Sequence, residues 1–236
     1  MKIAGVYSVL DPAGVQIHER CARLREEVSP VHDWEFVGVK GRLIHADRVD
    51  RDLDADLVVF LSRHTSGTPI PQLTVHATGN VGEAALGGEA DRFAPCMPGF
   101  MQSVLRALAS TAPDGYRVSY ERTHHGPTDL ETPSCFVEIG SGPGQWSDPA
   151  AGECVARAVL LASPDPLAVP LLGFGGTQYA SRQTAVALAT RGAFGHIVRT
   201  DDLGRVDGAI LSRLAGSSGA VAAFIDRTQH GNGDGR

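Results

Sequence analysis

Lysine is almost absent from these 236 residues, with Lys2 and Lys40 the only two, so arginine carries nearly all of the positive charge. At a formal charge of -6, the chain lacks the clustered cations that coat nucleic acid by releasing phosphate counterions, and DNA is not an expected partner. Recognition of one RNA end is not excluded, because arginine forks suit phosphate. No apolar run approaches the roughly 20 residues of a membrane-spanning helix. No membrane partner is therefore expected, and the expected address is cytoplasmic. Cys21, Cys96, Cys135 and Cys154 form no Cys-x-x-Cys pair, which excludes a disulfide framework and a cysteine zinc knuckle and leaves reduced, mostly buried thiols. No Gly-x-Ser-x-Gly elbow, Walker loop or Gly-x-Gly-x-x-Gly is present, so neither a covalent serine nucleophile nor a nucleotide cofactor is signalled.

What is present is an alternation of short apolar runs and helical patterns. Residues 3–10 read as a strand, and Asp11-Pro12 opens a helix to about Val28. Residues 34–44, 57–62 and 73–77 read as strands, the continuously apolar 57–61 belonging in the middle of a sheet. Residues 82–95 read as a loop, 98–109 as a helix, 116–123 and 135–139 as strands, and 150–162 as a helix capped by Asp148. Then follow strand 171–174, helix 182–190, strand 196–199, helix 206–214 and strand 221–225. This order predicts an α/β fold, a three-layer sandwich whose mixed, largely parallel sheet is covered on both faces. A single catalytic domain over 1–228 is expected, with a flexible tail at 229–236.

Reactive side chains gather at the ends of apolar strands, where open α/β sheets hold ligands. His64, His76, His124, His125 and Glu138 offer imidazole and carboxylate groups, the types that bind zinc or act as general acid and base. Their spacing matches no zinc signature. In an extended chain, His124 and His125 point to opposite faces, so only a turn at Gly126-Pro127 would let both face one pocket. The Gly173 to Gly176 turn leads into a helix and offers amides to an anion, or is a plain strand-to-helix turn.

Ser-Arg-His at 62–64, Thr-Val-His-Ala at 74–77, Thr-His-His-Gly-Pro-Thr at 123–128 and Ser-Cys-Phe-Val-Glu-Ile-Gly-Ser at 134–141 together resemble, in the same order, the archaeal and plant D-aminoacyl-tRNA deacylases. The resemblance implies a fold similar to purine nucleoside phosphorylase and peptidyl-tRNA hydrolase. It also implies zinc dependence and hydrolysis of the ester of D-aminoacyl-tRNA, gripped at its acceptor end. On that basis the expected zinc ligands are His64, His76 and His124. The expected catalytic groups are His124, His125 and Glu138, and the expected substrate contacts are Ser62, Arg63, Asn80, Gly175, Gly176, Gln178, Tyr179 and Arg182. Which imidazoles ligate and which move protons stays open. The family usually reads Gly-Gly-x-His-Tyr-Ala-Pro-Arg where this chain has Gly175-Gly176-Thr177-Gln178-Tyr179-Ala180-Ser181-Arg182. Glutamine neither shuttles a proton nor ligates zinc well. That departure motivates an alternative, an aminoacyl-tRNA-dependent transferase that passes the amino acid to a small-molecule amine or hydroxyl acceptor. A third reading is a silent tRNA-end binding module.

Overall fold

Leu57, Val58, Val59, Phe60 and Leu61 are all fully buried, and the two faces they supply organise the molecule. The structure, a computed structural model, describes residues 1–67 and 70–227. The tail expected at 229–236 lies outside the described residues. Strand β3 (Leu57–Arg63) sits in a six-stranded sheet with β1 (Lys2–Ser8), β2 (Asp33–Val39), β4 (Gln72–His76), β5 (Arg117–Tyr120) and β6 (Ser134–Gly140). The order is β2-β1-β3-β6-β4-β5. All pairings are parallel except β4 with β6, which is antiparallel.

Side chains alternate across a strand. Leu57, Val59 and Leu61 therefore join one apolar cluster with Leu73, Val75 and Val137, while Val58 and Phe60 join another with Ala4, Val6 and Phe136. Helices α1 (Pro12–Glu27), α2 (Pro98–Thr111) and α4 (Pro149–Leu161) cover the first face; a single turn, α3 (Pro143–Trp146), precedes α4. The second face departs from the expected layering. It is covered by 3-10 turns at Leu43–His45 and Val49–Asp52 and by irregular chain that supplies Ala94 and Leu130. A face roofed by loops is where chemistry is readily built.

The expected single sheet is also divided. Strands β7 (Val169–Phe174), β8 (Gly192–Val198) and β9 (Ala222–Ile225) form a separate parallel sheet in the order β8-β7-β9, flanked by α5 (Ser181–Ala189) and α6 (Gly208–Ser218). Its Phe194 and Ile197 belong to the same buried cluster as the first sheet's helices. Gln102 on α2, fully buried, shares its amide protons among the carbonyls of Ala187, Thr190 and Gly192. The strand expected over 34–44 stops at Val39, because Gly41 takes φ +124 and the chain turns away. The strand expected from 116 ends at Tyr120, where Glu121 begins the site segment.

Asp11 caps α1 as its sequence requires. One carboxylate oxygen accepts from the amides of Ala13 (3.0 Å) and Gly14 (3.4 Å). The other accepts from the Arg63 amide (2.9 Å) and the Ser62 hydroxyl (3.3 Å), tying the helix start to the end of β3. Burial raises its pKa, opposed by those amides. Replacing Asp11→Ala removes the cap and orphans a buried amide, so the urea midpoint should fall by the equivalent of about 2 kcal/mol.

Candidate active site

The alternation that sends Val59 toward the helices sends its neighbours in register to the loop-covered face. On β6, Phe136 faces that side, and so does Glu138, two residues on. On β4, Leu73 and Val75 face the helices, so Thr74 and His76 face away. On β5, Tyr120 joins the helix-side cluster and Glu121 faces away. Ser62 and, just past the strand, His64 share the parity of Phe60. Since β3, β6, β4 and β5 are adjacent, His64, Glu138, His76 and Glu121 are brought together on one surface. Pairing Glu138 with both Ser62 and Thr74 fixes the register.

The segment after β5 completes the group. Thr123 bonds through its amide to the Ile197 carbonyl (2.8 Å). Its hydroxyl oxygen accepts from the Ile197 amide (3.0 Å) and lies 3.1 Å from Nδ1 of the buried His196. His125 then adopts φ +48, a left-handed conformation uncommon outside glycine. Extended geometry would have separated His124 and His125. With this turn both rings pack on His76, at centroid distances of 4.4 and 4.9 Å.

Each of these three imidazoles has its Nδ1 against a backbone carbonyl: His76 to Ala77 (3.2 Å), His124 to Arg122 (2.8 Å) and His125 to Gly126 (2.7 Å). An Nδ1–H donor in each makes Nε2 the nitrogen a ligand can use once that atom is unprotonated. One ligating nitrogen from each ring lies within 4.8 Å of the others. The Nε2 of His76, fully buried, has no hydrogen-bond partner; the nearest Glu138 oxygen is 3.7 Å away. Buried polar atoms rarely stay unpaired, and His76 belongs to a group of three imidazoles that could hold a metal ion. Burial, reinforced by the His76 charge, lowers His124 well below its ordinary range and His125 to about 4, holding both in the neutral form that ligates metal. Burial also opposes a charge on His76, but Glu138 outweighs it and raises the pKa.

His64, also expected among the zinc ligands, falls in a second group, with Glu121 and Glu138, whose ligand atoms lie within 4.8 Å of one another and could themselves hold a metal ion. Its Nδ1 lies 3.0 Å from Glu121 and 3.5 Å from Glu138, and its Nε2 contacts the Tyr179 hydroxyl at 2.9 Å. Burial disfavours its charge, yet the two carboxylates raise its pKa to about 11. Bonding to His64 and His76 brings Glu138 down to about 2 in spite of burial, and lowers Glu121 as well. His64 is thus a cation held between two anions. Its contribution to stability is complete below 6.5, the ordinary histidine value, and is lost as pH rises through about 11. That of Glu138 is complete above 4.5 and is lost as pH falls through about 2. In metal-free protein, the drop in Tm caused by His64→Gln should be constant between those ordinary values and shrink by about pH 9.

A cleft of about 600 Å³ opens over this group, lined by Ser62, Arg63, His64, His124, His125, Glu138 and Gln178 among others. Tyr179 reaches it through His64. Asn80, Gly175, Gly176 and Arg182, expected to contact substrate, lie outside its lining among the described residues. Asn80 instead ties down the following loop through the carbonyls of Gly87 (2.9 Å) and Glu89 (3.2 Å). Gly175 donates its amide to Val198 and approaches Asp226 so closely that a Cβ would meet its carbonyl oxygen at 2.5 Å. That turn is closely packed, and Arg182 is exposed on α5. Gln178 donates to Glu121 and accepts from Arg122 (2.8 Å), with its amide nitrogen 3.5 Å from His124 Nε2.

Sequence reasoning missed Glu121 and Arg122. Glu121 is 1% exposed and stands three residues before His124 at a strand end, which is the one signal that marks it. All four cysteines are free and buried, and burial raises every thiol, Cys135 to about 12. No helix among the described residues is long and apolar enough to cross a membrane.

The model of a family described as D-aminoacyl-tRNA deacylase matches residues 51–234. The D-aminoacyl-tRNA deacylase of Methanosphaerula palustris is 57% identical over 235 residues, covering 96% of this chain and 53% of that protein. That of Methanoculleus marisnigri is 53% identical over 232 residues, with the same coverage. The chain thus spans about half the length of the curated relatives it matches. A crystal structure of a conserved protein of unknown function, AF0625, superposes with a TM-score of 0.88 at 32% identity, covering 96% of this chain and 86% of that one.

Proposed function

The chain belongs to the D-aminoacyl-tRNA deacylase family, and from that membership we propose that it hydrolyses the ester joining a D-amino acid to the acceptor end of tRNA, with zinc held by His76, His124 and His125. The carrying observation is the grouping of three imidazoles, one ligating nitrogen from each within 4.8 Å of the others and each ring oriented by a backbone carbonyl. Three nitrogen donors with an open side suit a catalytic zinc ion. When bound, zinc supplies Lewis-acid polarisation of the ester carbonyl and lowers the pKa of water.

The chain's own groups do the rest. Glu138 lines the cleft as a carboxylate at neutral pH. As an acceptor it orients the attacking water by holding one of its protons. Glu121 and His64 act behind the reacting atoms: Glu121 lies 3.6 Å from His124 Nε2, and His64 fixes Glu138. Arg63, stacked 5.1 Å over Trp146, and Arg122 present cations to the cleft. Discrimination between D and L substrates falls to the shape of the cleft, because ester hydrolysis itself is indifferent to it. The transferase reading was motivated by Gln178, whose amide and carbonyl are engaged by Glu121 and Arg122; membership of a deacylase family favours water as the nucleophile. Action on aminoacyl-tRNA supports a cytoplasmic address.

The test is release of tyrosine from D-tyrosyl-tRNA beside L-tyrosyl-tRNA. D-specific release is expected, falling at least roughly tenfold after chelation and returning with zinc. Release equal to buffer, or equal on both enantiomers, overturns the activity; chelator-resistant release overturns the metal.

A further inference from the structure

Beside the catalytic cleft lies a second groove of about 540 Å³, and the two share a wall. Gly41 and Arg42 line both; Leu43 and Ile44 belong to the catalytic cleft, whereas His45 and Ala46 face the groove. This ridge is seated firmly. The Ile44 carbonyl oxygen would lie 2.1 Å from a Cβ on Gly87 and 2.6 Å from one on Gly126, so the ridge packs directly on the backbone next to Leu86 and His125.

The groove has an apolar lining in Val37, Val39, Val49 and Leu53, with Asp47 and Asp52 among its other residues. Lys40, one of only two lysines in the chain, also lines it, next to Arg42. Both are exposed, and neither has an ion-pair partner among the described residues, in contrast to Arg48, which is paired with Asp129 at 3.1 Å. Two unpaired cations therefore stand where groove and cleft meet, on a chain of net charge -6. At the cleft, Leu10 and Leu86 remain 73% and 51% exposed, apolar surface suited to the face of a base.

We propose that this groove receives the single-stranded 3′ end of the tRNA. The terminal adenosine, bearing the ester, enters the catalytic cleft beside Leu10 and Leu86. The strand then crosses the Gly41–Arg42 ridge, and the preceding nucleotide lays its base on the apolar lining with its phosphate against Lys40 and Arg42. The volume suits one or two nucleotides, and the cations meet the phosphates at the crossing. This rests on the hydrolase reading of the neighbouring cleft.

The test uses Lys40→Glu, which alters an exposed side chain outside the catalytic cleft, and His45→Glu, a second exposed groove residue. Binding of the trinucleotide CpCpA should weaken on the order of tenfold in Lys40→Glu, with the slope of log affinity against log salt shallower by about one. KM for D-tyrosyl-tRNA should rise by a similar factor at constant kcat. Hydrolysis of the D-tyrosyl ester of adenosine, which has no upstream nucleotide, should not change. Absence of CpCpA binding, equal CpCpA affinity in wild type and both variants, or equal losses on tRNA and adenosine ester overturns the groove. A wild type that binds CpCpA through Lys40 yet hydrolyses neither ester overturns the hydrolase reading and leaves the groove standing.

Discussion

His76→Ala is expected to abolish stoichiometric zinc and to lower D-tyrosyl-tRNA hydrolysis on the order of 10³-fold. His76 is the shared member of the three imidazoles: its ring packs on both of the others, and it stands in register opposite Phe136, whose ring stacks on it at 5.2 Å. Removing it leaves two donors, too few to hold zinc with an open position. The stabilisation then lost is several kcal/mol, and each ~1.4 kcal/mol is a factor of ten in rate. Elemental analysis and single-turnover kinetics on the same preparation check this, with circular dichroism confirming the fold. Full activity with unchanged zinc would show that the centre lies elsewhere.

The second large effect is on stability. Glu121→Ala should cost about 3 kcal/mol at neutral pH, the low end for breaking a buried ion pair. Glu121 is almost fully buried, 3.0 Å from His64 and 3.6 Å from His124, and accepts from Gln178. Without it, Nδ1 of His64 keeps only the longer contact to Glu138, at 3.5 Å. Urea unfolding of metal-free protein measures the loss. A midpoint within error of wild type would mean that the pairing contributes no net stability.

Much of this was legible before any coordinates. Continuous burial of 57–61 places β3 in the sheet interior, and Asp11-Pro12 and Asp148-Pro149 mark helix starts that form where the caps predict. The division into two sheets was not legible. An apolar run such as 192–198 says that a strand is buried, but not which strand it pairs with; here the packing of α2 against β8 decides it. The same limit explains the misplaced layer. Val58 and Phe60 need apolar cover, and turns carrying Leu43 and Leu130 serve as well as a helix would.

At the site, the histidines and Glu138 announce themselves by residue type, whereas their grouping depends on strand order. His64 and His76 look equivalent in sequence. Only the placement of β6 between β3 and β4, and of β5 at the edge, gives His64 two carboxylates and His76 two imidazoles. The convergence of His124 with His125 hangs on one left-handed residue, which sequence parity argues against. Glu121 was overlooked because a lone glutamate at a strand end is usually solvated; here the bridge from Glu121 to Tyr179 buries it.

That bridge and the clamp on Thr123 have a further consequence. Every imidazole of the centre falls between positions 76 and 125, yet the backbone holding them is fastened by Gln178, Tyr179 and Ile197, far later in the chain. A fragment ending before β7 would contain all three proposed ligands and still lack the scaffold that holds them. Metal affinity should therefore return only when the missing portion is supplied in trans, making fragment complementation a readout of how the two sheets dock.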